Sequence, residues 1–454
     1  MRLLIRFFFI VLFVLLTQPV MAFMNNPYNL RMVWPYQVFA GDDETPPPYT
    51  YGIHWNQATD TMTTGYVSGG VFIEDNATDL VVQEQLGRGL YVAATDSWTK
   101  LDATNSSLLA SGGAATLDGS SGDVMVRIPR HYQLWHRDGD DQYILISEGA
   151  FTFGGQEAWV PNCFSTYDYY YISAFEGVLD DNGVITTGTG SSGADTTDDA
   201  LRSLPNYKPW TVEYRSVYRT ISRNTGGTAH QLSWDGYQML IALMVTEWGS
   251  WDSQTELPGY TDGDAGWDYA YVRETGRTLH LGDTSGSVQV DFTGEDSDLN
   301  STIIALEEAI ANSYRGIENP YGHIWKFLDG INVDNTDGNC TVYTTADYTA
   351  WADDTATGYT DTGHAPGFGS DDGYIADIHG SGQHAPFYPS SITGGSWNSH
   401  LHDYHWNDSG GWRVLLAGGH CTYGGAAGVA SLLAVYGSGL RASYIGARLA
   451  ARGN

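Results

Sequence analysis

Apolar and polar residues alternate along Val124-Met-Val-Arg-Ile-Pro129, and a proline closes the run. That period of two predicts a strand. Tyr169-Tyr-Tyr-Ile-Ser-Ala-Phe175 predicts a second strand, and Asp180-Asp-Asn-Gly183 predicts a hairpin turn. From Tyr51 to about Leu117 the chain reads as short strands between Gly and Asp turns, and 114–122 is a turn cluster. The period changes twice. Trp234, Tyr237, Leu240, Ile241, Met244, Val245 and Trp248 fall on one helical stripe, with Ser233 as its N-cap. Leu299 to Asn312 predicts a second helix, carrying Ile303, Leu306 and Ile310 on one face. Residues 186–199 form a loop, and 333–395 is a long Gly/Asp/Thr/Tyr stretch with little regular pattern. Strands and loops with two main helices place the chain in the α+β class. Loops of that length in a compact body carry function.

The N-terminus follows a different pattern. Arg2 and Arg6 flank or precede an apolar run of ten residues, Phe7 to Leu16, and Val20-Met21-Ala22 is a small-residue cleavage site. Ten helical residues rise about 15 Å, half of a roughly 30 Å bilayer core. Residues 1–22 therefore read as a secretory signal, the alternative being an uncleaved anchor, and no later segment is expected to enter a membrane. Residues 23–50 read as a Pro-rich leader or linker, 51–130 as a small β-rich region, and 131–454 as the main domain.

Composition narrows the partners. The formal net charge is −32, and export would remove two arginines and no acid. Only three lysines are present: Lys100, Lys208 and Lys326. Such a surface repels nucleic acid. It suits solubility in strong salt, as in a halophilic source, or calcium at Asp-rich turns. The candidate turns for structural calcium are Asp138-Gly-Asp-Asp141, Asp262-Gly-Asp264 and Asp334-Asn-Thr-Asp-Gly338, none with a full calcium-loop spacing. No other cofactor is required. Cys163, Cys340 and Cys421 allow one disulfide at most and fit no zinc spacing. His400, His402 and His405, with Asp403 among them, are candidate metal ligands, against a plain polar surface. Asn76, Asn105 and Asn300 begin glycosylation triplets.

Three late motifs occur in family order. Gly322-His-Ile-Trp-Lys-Phe327, Gly394-Gly-Ser-Trp397 and Ile445-Gly-Ala-Arg448 resemble motifs of the formylglycine-generating-enzyme superfamily, which has a C-type-lectin-type fold. Trp412-Arg-Val-Leu-Leu-Ala-Gly-Gly419, Gly425, Ala427-Gly428 and Ile445 to Arg448 more closely resemble the variable proteins of diversity-generating retroelements and the related receptor-binding proteins of phage tails. The stretches 117–129, 171–177 and 314–320 extend that likeness upstream. The resemblance implies a lectin-type scaffold that displays a diversified segment, 418–448, to a protein or glycan on a cell surface. The signal peptide departs from tail fibres, which assemble in the cytoplasm, and implies a secreted, cell-surface or virion-surface protein.

The resemblance also distributes roles. Trp325, Gly394, Gly395, Trp397, Trp412, Gly418, Gly419, Gly428, Gly446 and Arg448 are expected as scaffold, with Trp325, Trp397 and Trp412 in the core and Arg448 anchoring the last strand. His420, Thr422, Tyr423, Leu433, Val435, Tyr436, Leu440, Ala442 and Tyr444 are expected to contact ligand. Tyr404 and Trp406 fit either the core or the binding face. Binding rather than turnover is the expected mechanism. The alternatives are a non-diversified adhesin of the same fold, a metal-dependent oxidase using Cys421, and a surface-layer component. The sharpest expectation is that His420, Tyr423, Tyr436 and Tyr444 share one exposed face.

Overall fold

The computed structural model describes residues 48–76, 79–186, 193–261, 272–290 and 309–454. The signal, residues 23–47 of the leader, the Asp262-Gly-Asp264 turn, the Asn300 triplet and residues 299–308 of the second expected helix lie outside them, as do Ala77 and Thr78 of the Asn76 triplet; Thr50, at the end of the expected leader, already begins a strand. Among the described residues the protein is strand-rich, with three α-helices: α1 (Arg215–Asn224), α2 (Trp234–Trp248) and α3 (Ser253–Glu256). This is a mostly-β member of the α+β class.

Three large sheets build the body. An antiparallel sheet runs in the order Val71–Glu74, Thr61–Ser68, Thr50–Asn56, Asp141–Ser147, Tyr132–Asp138. A seven-stranded sheet runs His230–Gln231, Leu449–Gly453, Tyr169–Ser173, Asp123–Pro129, Gly87–Val92, Ser97–Asp102, Asn105–Leu109. Pairing crosses residue 130 in both, so residues 51–130 are built into the same compact unit as the rest of Pro47–Asn454. The third sheet is centred on Trp325–Asp334. That strand pairs with Thr341–Thr344 on one edge and with Trp412–Ala417 on the other; Leu432–Ala434, Tyr404–Asn407 and Gly373–Tyr374 follow outward. Both predicted strands and the hairpin form where the pattern placed them. Asn182 and Gly183 take φ of 50° and 88°, as a tight two-residue turn requires.

Helix α2 is the centre of the molecule. The Ser233 side chain accepts from the Gly236 amide, satisfying an N–H that the first helical turn leaves open. Every residue from Trp234 to Thr246 is buried. The stripe is thus part of a helix covered on all sides, packed against Thr50–Asn56, Asp141–Ser147 and Trp325–Asp334. Gly236 makes the close approach to Tyr170: a Cβ there would lie 2.5 Å from the Tyr170 hydroxyl. Glycine-to-alanine inside a helix ordinarily stabilises by about 1 kcal/mol. Gly236→Ala is expected to do the reverse, costing about 1–3 kcal/mol through overpacking. The urea midpoint reads it, and an increase would mean that Tyr170 moves freely.

Two helical expectations change. Helix α1 carries Arg215 and Arg219 on its buried side, so no apolar stripe announces it. Arg219 Nε lies 2.6 Å from Asp329, and both arginines lie 2.6 Å from Asp353. The end of the second expected helix is a strand instead, Ala309–Tyr314, paired on both sides by Gly286–Val290 and Ile317–Glu318. Sheet pairing overrides the weak 3.6-residue period there.

Candidate functional site

The segment 418–448 is laid across the third sheet. Its entrance is a glycine turn: Gly418 and Gly419 have φ of 91° and 73°, where a side chain is strained. The Gly418 amide donates to Ser431 O at 2.9 Å, and Gly418 O accepts from the Gly322 amide at 2.8 Å. Residues 424–431 are held from beneath. Gln254 Nε2 donates to Gly424 O and Ala427 O, Tyr237 Oη donates to Val429 O at 2.8 Å, and the Ala430 amide donates to Asp403 Oδ2. Gly428 lies against that carboxylate, since a Cβ there would fall 2.0 Å from Asp403 Oδ1. Burial pushes Asp403 up to about 7. At the exit, Ile445–Gly446 pairs parallel to Trp325–Asp334, with Gly446 pressed onto Ile324.

Arg448 closes the frame. It is buried and donates to Ser173 O at 3.1 Å, Asn319 O at 2.7 Å and Glu318 O. A second buried group lies under the glycine turn. Glu176 contacts His323 Nδ1, and Lys326 Nζ lies 3.1 Å from its other oxygen. Burial opposes ionisation of Glu176, but His323, Lys326 and Arg448 outweigh it and hold the carboxyl at about 2. Burial brings Lys326 down to about 8 against the pull of Glu176.

Above this frame runs a strip of rings. Tyr374 and Tyr404 are 5.0 Å apart, Tyr404 and Trp406 4.6 Å, Trp406 and Tyr423 4.6 Å, Tyr423 and His420 4.3 Å, and His420 and Tyr444 5.1 Å. Trp325, fully buried, underlies Trp406 and Tyr423 at 5.6 and 5.5 Å. Tyr374, Tyr404, Trp406, Tyr423 and Tyr444 are half-buried, and Tyr436 is 41% exposed. Tyr404 and Trp406 belong to this face because strand alternation turns His405 and Asn407 inward. Tyr374, in the unpatterned 333–395 stretch, was not legible; it joins through its pairing with Tyr404.

Of the expected contact residues, Thr422, Tyr423, Val435, Leu440, Ala442 and Tyr444 are half-buried and Tyr436 exposed. Two need correction. His420 is 1% and Leu433 5% exposed, so neither is on the exposed face. His420 sits beneath Tyr423 and Tyr444, its Nδ1 facing the Thr422 amide at 3.2 Å, and burial pushes its imidazole down to about 3. Leu433 packs inward from Leu432–Ala434, between two strands.

The scaffold set also changes. Trp397 is 67% exposed, carried outward on the Gly394–Gly395 turn, and Trp412 is only half-buried, tilted against Tyr343 at 5.6 Å. Neither is core. The candidate metal ligands diverge: His400 pairs with Asp60 at 3.1 Å, His402 with Asp252 at 3.2 Å, and His405 is buried between Phe368 and Tyr388. At the two described calcium turns the Asp carboxylates accept local bonds, Asp334 from Thr336 and Asp141 from Asn56. The three cysteines form no disulfide and lie in separate surroundings. Cys421 packs with Tyr260, Val290, Ala309 and Ala311, Cys163 against Met239 at 3.9 Å, and Cys340 beside Asn407.

Fold and site together define a strand-rich α+β protein that carries a half-sunken aromatic strip shared between two strands, Gly373–Tyr374 and Tyr404–Asn407, and the pinned segment 418–448. No protein-family model matches the chain, and no match is found among curated proteins.

Proposed function

We propose that this is an exported ligand-binding protein whose recognition surface is the segment 418–448 on a C-type-lectin-type scaffold, resembling the variable proteins of diversity-generating retroelements. It acts by binding, not turnover, on a protein or glycan at a cell surface. One observation carries the reading: positions that fix the backbone and positions that present part-exposed rings separate. Gly418, Gly419, Gly428, Gly446 and Arg448 occupy backbone turns, close approaches or a buried bonding site. Between them, Tyr423 and Tyr444 lie in one aromatic strip with their rings part-exposed, and the field of the exposed Tyr436 reaches both. Rings held this way offer large contact area at small entropic cost.

The locus tests it. The expected result is an adenine-rich, near-identical copy of the 418–448 coding stretch beside a reverse-transcriptase gene. Independent isolates should differ at codons 422, 423, 435, 436, 440, 442 and 444 and agree at 418, 419, 428, 446 and 448. Invariance at all of these codons, with no template, leaves the non-diversified adhesin. Variation at the glycines and Arg448 instead would sink the scaffold assignment.

A further inference from the structure

The charge around the strip sets the chemistry of its occupant. Beyond Lys326 the chain has no lysine and no glutamate; it has twelve aspartates and four arginines. Two of those arginines, Arg448 and Arg452, are buried. The other two are engaged at the rim. Arg413 donates from Nε to Asp408 O at 2.9 Å, and Arg441 lies over the Tyr214 ring at 4.9 Å. The rim carboxylates are exposed. Asp371 and Asp372 open the strand that carries Tyr374, and the field of Asp372 reaches both Tyr404 and Tyr423. Asp354 accepts from Ser438 of the variable segment, two residues from the exposed Tyr436. The strip is therefore a row of ring faces and edges bordered by negative charge.

Resting on the reading of this strip as the recognition surface, we infer that its occupant is a basic polypeptide segment rather than a glycan. Arginine and lysine side chains would lie over the Tyr and Trp rings with their charges toward Asp372 and Asp354. A cation over an aromatic face is worth roughly 0.5–2 kcal/mol according to desolvation, and complementary rim charge raises the association rate. An acidic glycan would find only the two engaged arginines, Arg413 and Arg441, against a larger number of exposed rim carboxylates. The part-exposed rings Tyr374, Tyr404, Trp406 and Tyr423 follow one another at 4.6–5.0 Å, a continuous aromatic row over which the same-face side chains of an extended segment, about 6.6 Å apart, can lie.

The test uses the full chain and four fluorescent probes: an (Arg-Gly-Tyr)3 peptide, its Glu-Gly-Tyr counterpart, an Arg-free Ser-Gly-Tyr peptide, and chitohexaose. Binding is read by anisotropy at 0.1 and 0.5 M salt. The arginine peptide is expected to bind, and at least tenfold more weakly to Trp406→Ala and Tyr404→Ala, neither of which changes the net charge. Asp372→Asn should weaken it about threefold to tenfold, whereas Glu157→Gln, remote in sequence and exposed, should not. Melting curves of each variant confirm folding. Chitohexaose binding that Trp406→Ala abolishes, with no preference for the arginine peptide, would overturn the inference and leave the recognition surface standing. Arginine-peptide binding insensitive to Trp406→Ala and Tyr404→Ala would be attraction to net charge alone, and would overturn both.

Discussion

Acidification from pH 7 to pH 5 is expected to cost this protein a large share of its stability, before its solvent-exposed carboxylates titrate. Five buried imidazoles are held neutral, with burial the first cause in each: His131 and His364 at about 4, His230, His405 and His420 at about 3. Unfolded histidine titrates near 6.5. A base whose folded pKa is depressed stabilises above 6.5 and loses that contribution as pH falls toward its folded value. Each group costs about 1.4 kcal/mol per pH unit in that window. Asp235 and Asp403 run the other way: burial raises both to about 7, so their contribution is lost as pH rises and regained on acidification. Five against two leaves about 4 kcal/mol lost per unit, or about 6 kcal/mol at pH 5 relative to pH 6.5. A domain has about 5–15 kcal/mol in all. Urea midpoints at pH 7, 6 and 5 measure the slope, and His405→Phe, between Phe368 and Tyr388, should flatten it by about 1.4 kcal/mol per unit. Midpoints that stay constant from pH 7 to 5 would falsify the buried, neutral state of these side chains.

Replacing Arg448 should be the most costly single change near the site. Arg448→Met keeps the volume but leaves the carbonyls of Ser173, Glu318 and Asn319 without this donor and takes a positive neighbour from Glu176. Orphaned buried acceptors cost about 1–3 kcal/mol each, and breaking a buried charged contact about 3–5 kcal/mol. A loss of about 4 kcal/mol at unchanged m-value is the expected result, read from urea unfolding at pH 7. Arg441→Met, on an exposed position, should stay within about 0.5 kcal/mol. Equal effects from the two would mean that water or another donor replaces Arg448.

The readable parts of the sequence were those where one local rule decides. A Ser cap and an unbroken run of apolar positions define α2, and an apolar run ended by proline marks 123–129, a strand buried on both faces rather than an alternating one. Helix α1 escapes because its inward residues are arginines, neutralised by Asp329 and Asp353 more than a hundred positions later. At the site, the glycine pair and Arg448 were legible as frame, while exposure was not. Trp397 has the residue type of a core anchor yet sits on a two-glycine turn that carries it into solvent. His420 has the type of a contact residue but lies under two tyrosines. Tyr374 meets the strip only through a two-residue pairing that no period marks.

The strand Leu449–Gly453 is inserted between Tyr169–Ser173 and His230–Gln231, strands made more than two hundred residues earlier. Until residue 453 has been synthesised, the edge of Tyr169–Ser173 has no partner on that side, and Arg448 cannot reach its carbonyls. Contacts of such long sequence separation form late, because the intervening chain must lose its freedom first. That edge of the seven-stranded sheet would therefore stay open until this strand has been made. An unfilled sheet edge is a template for wrong pairing, and a holding chaperone would be its natural guard.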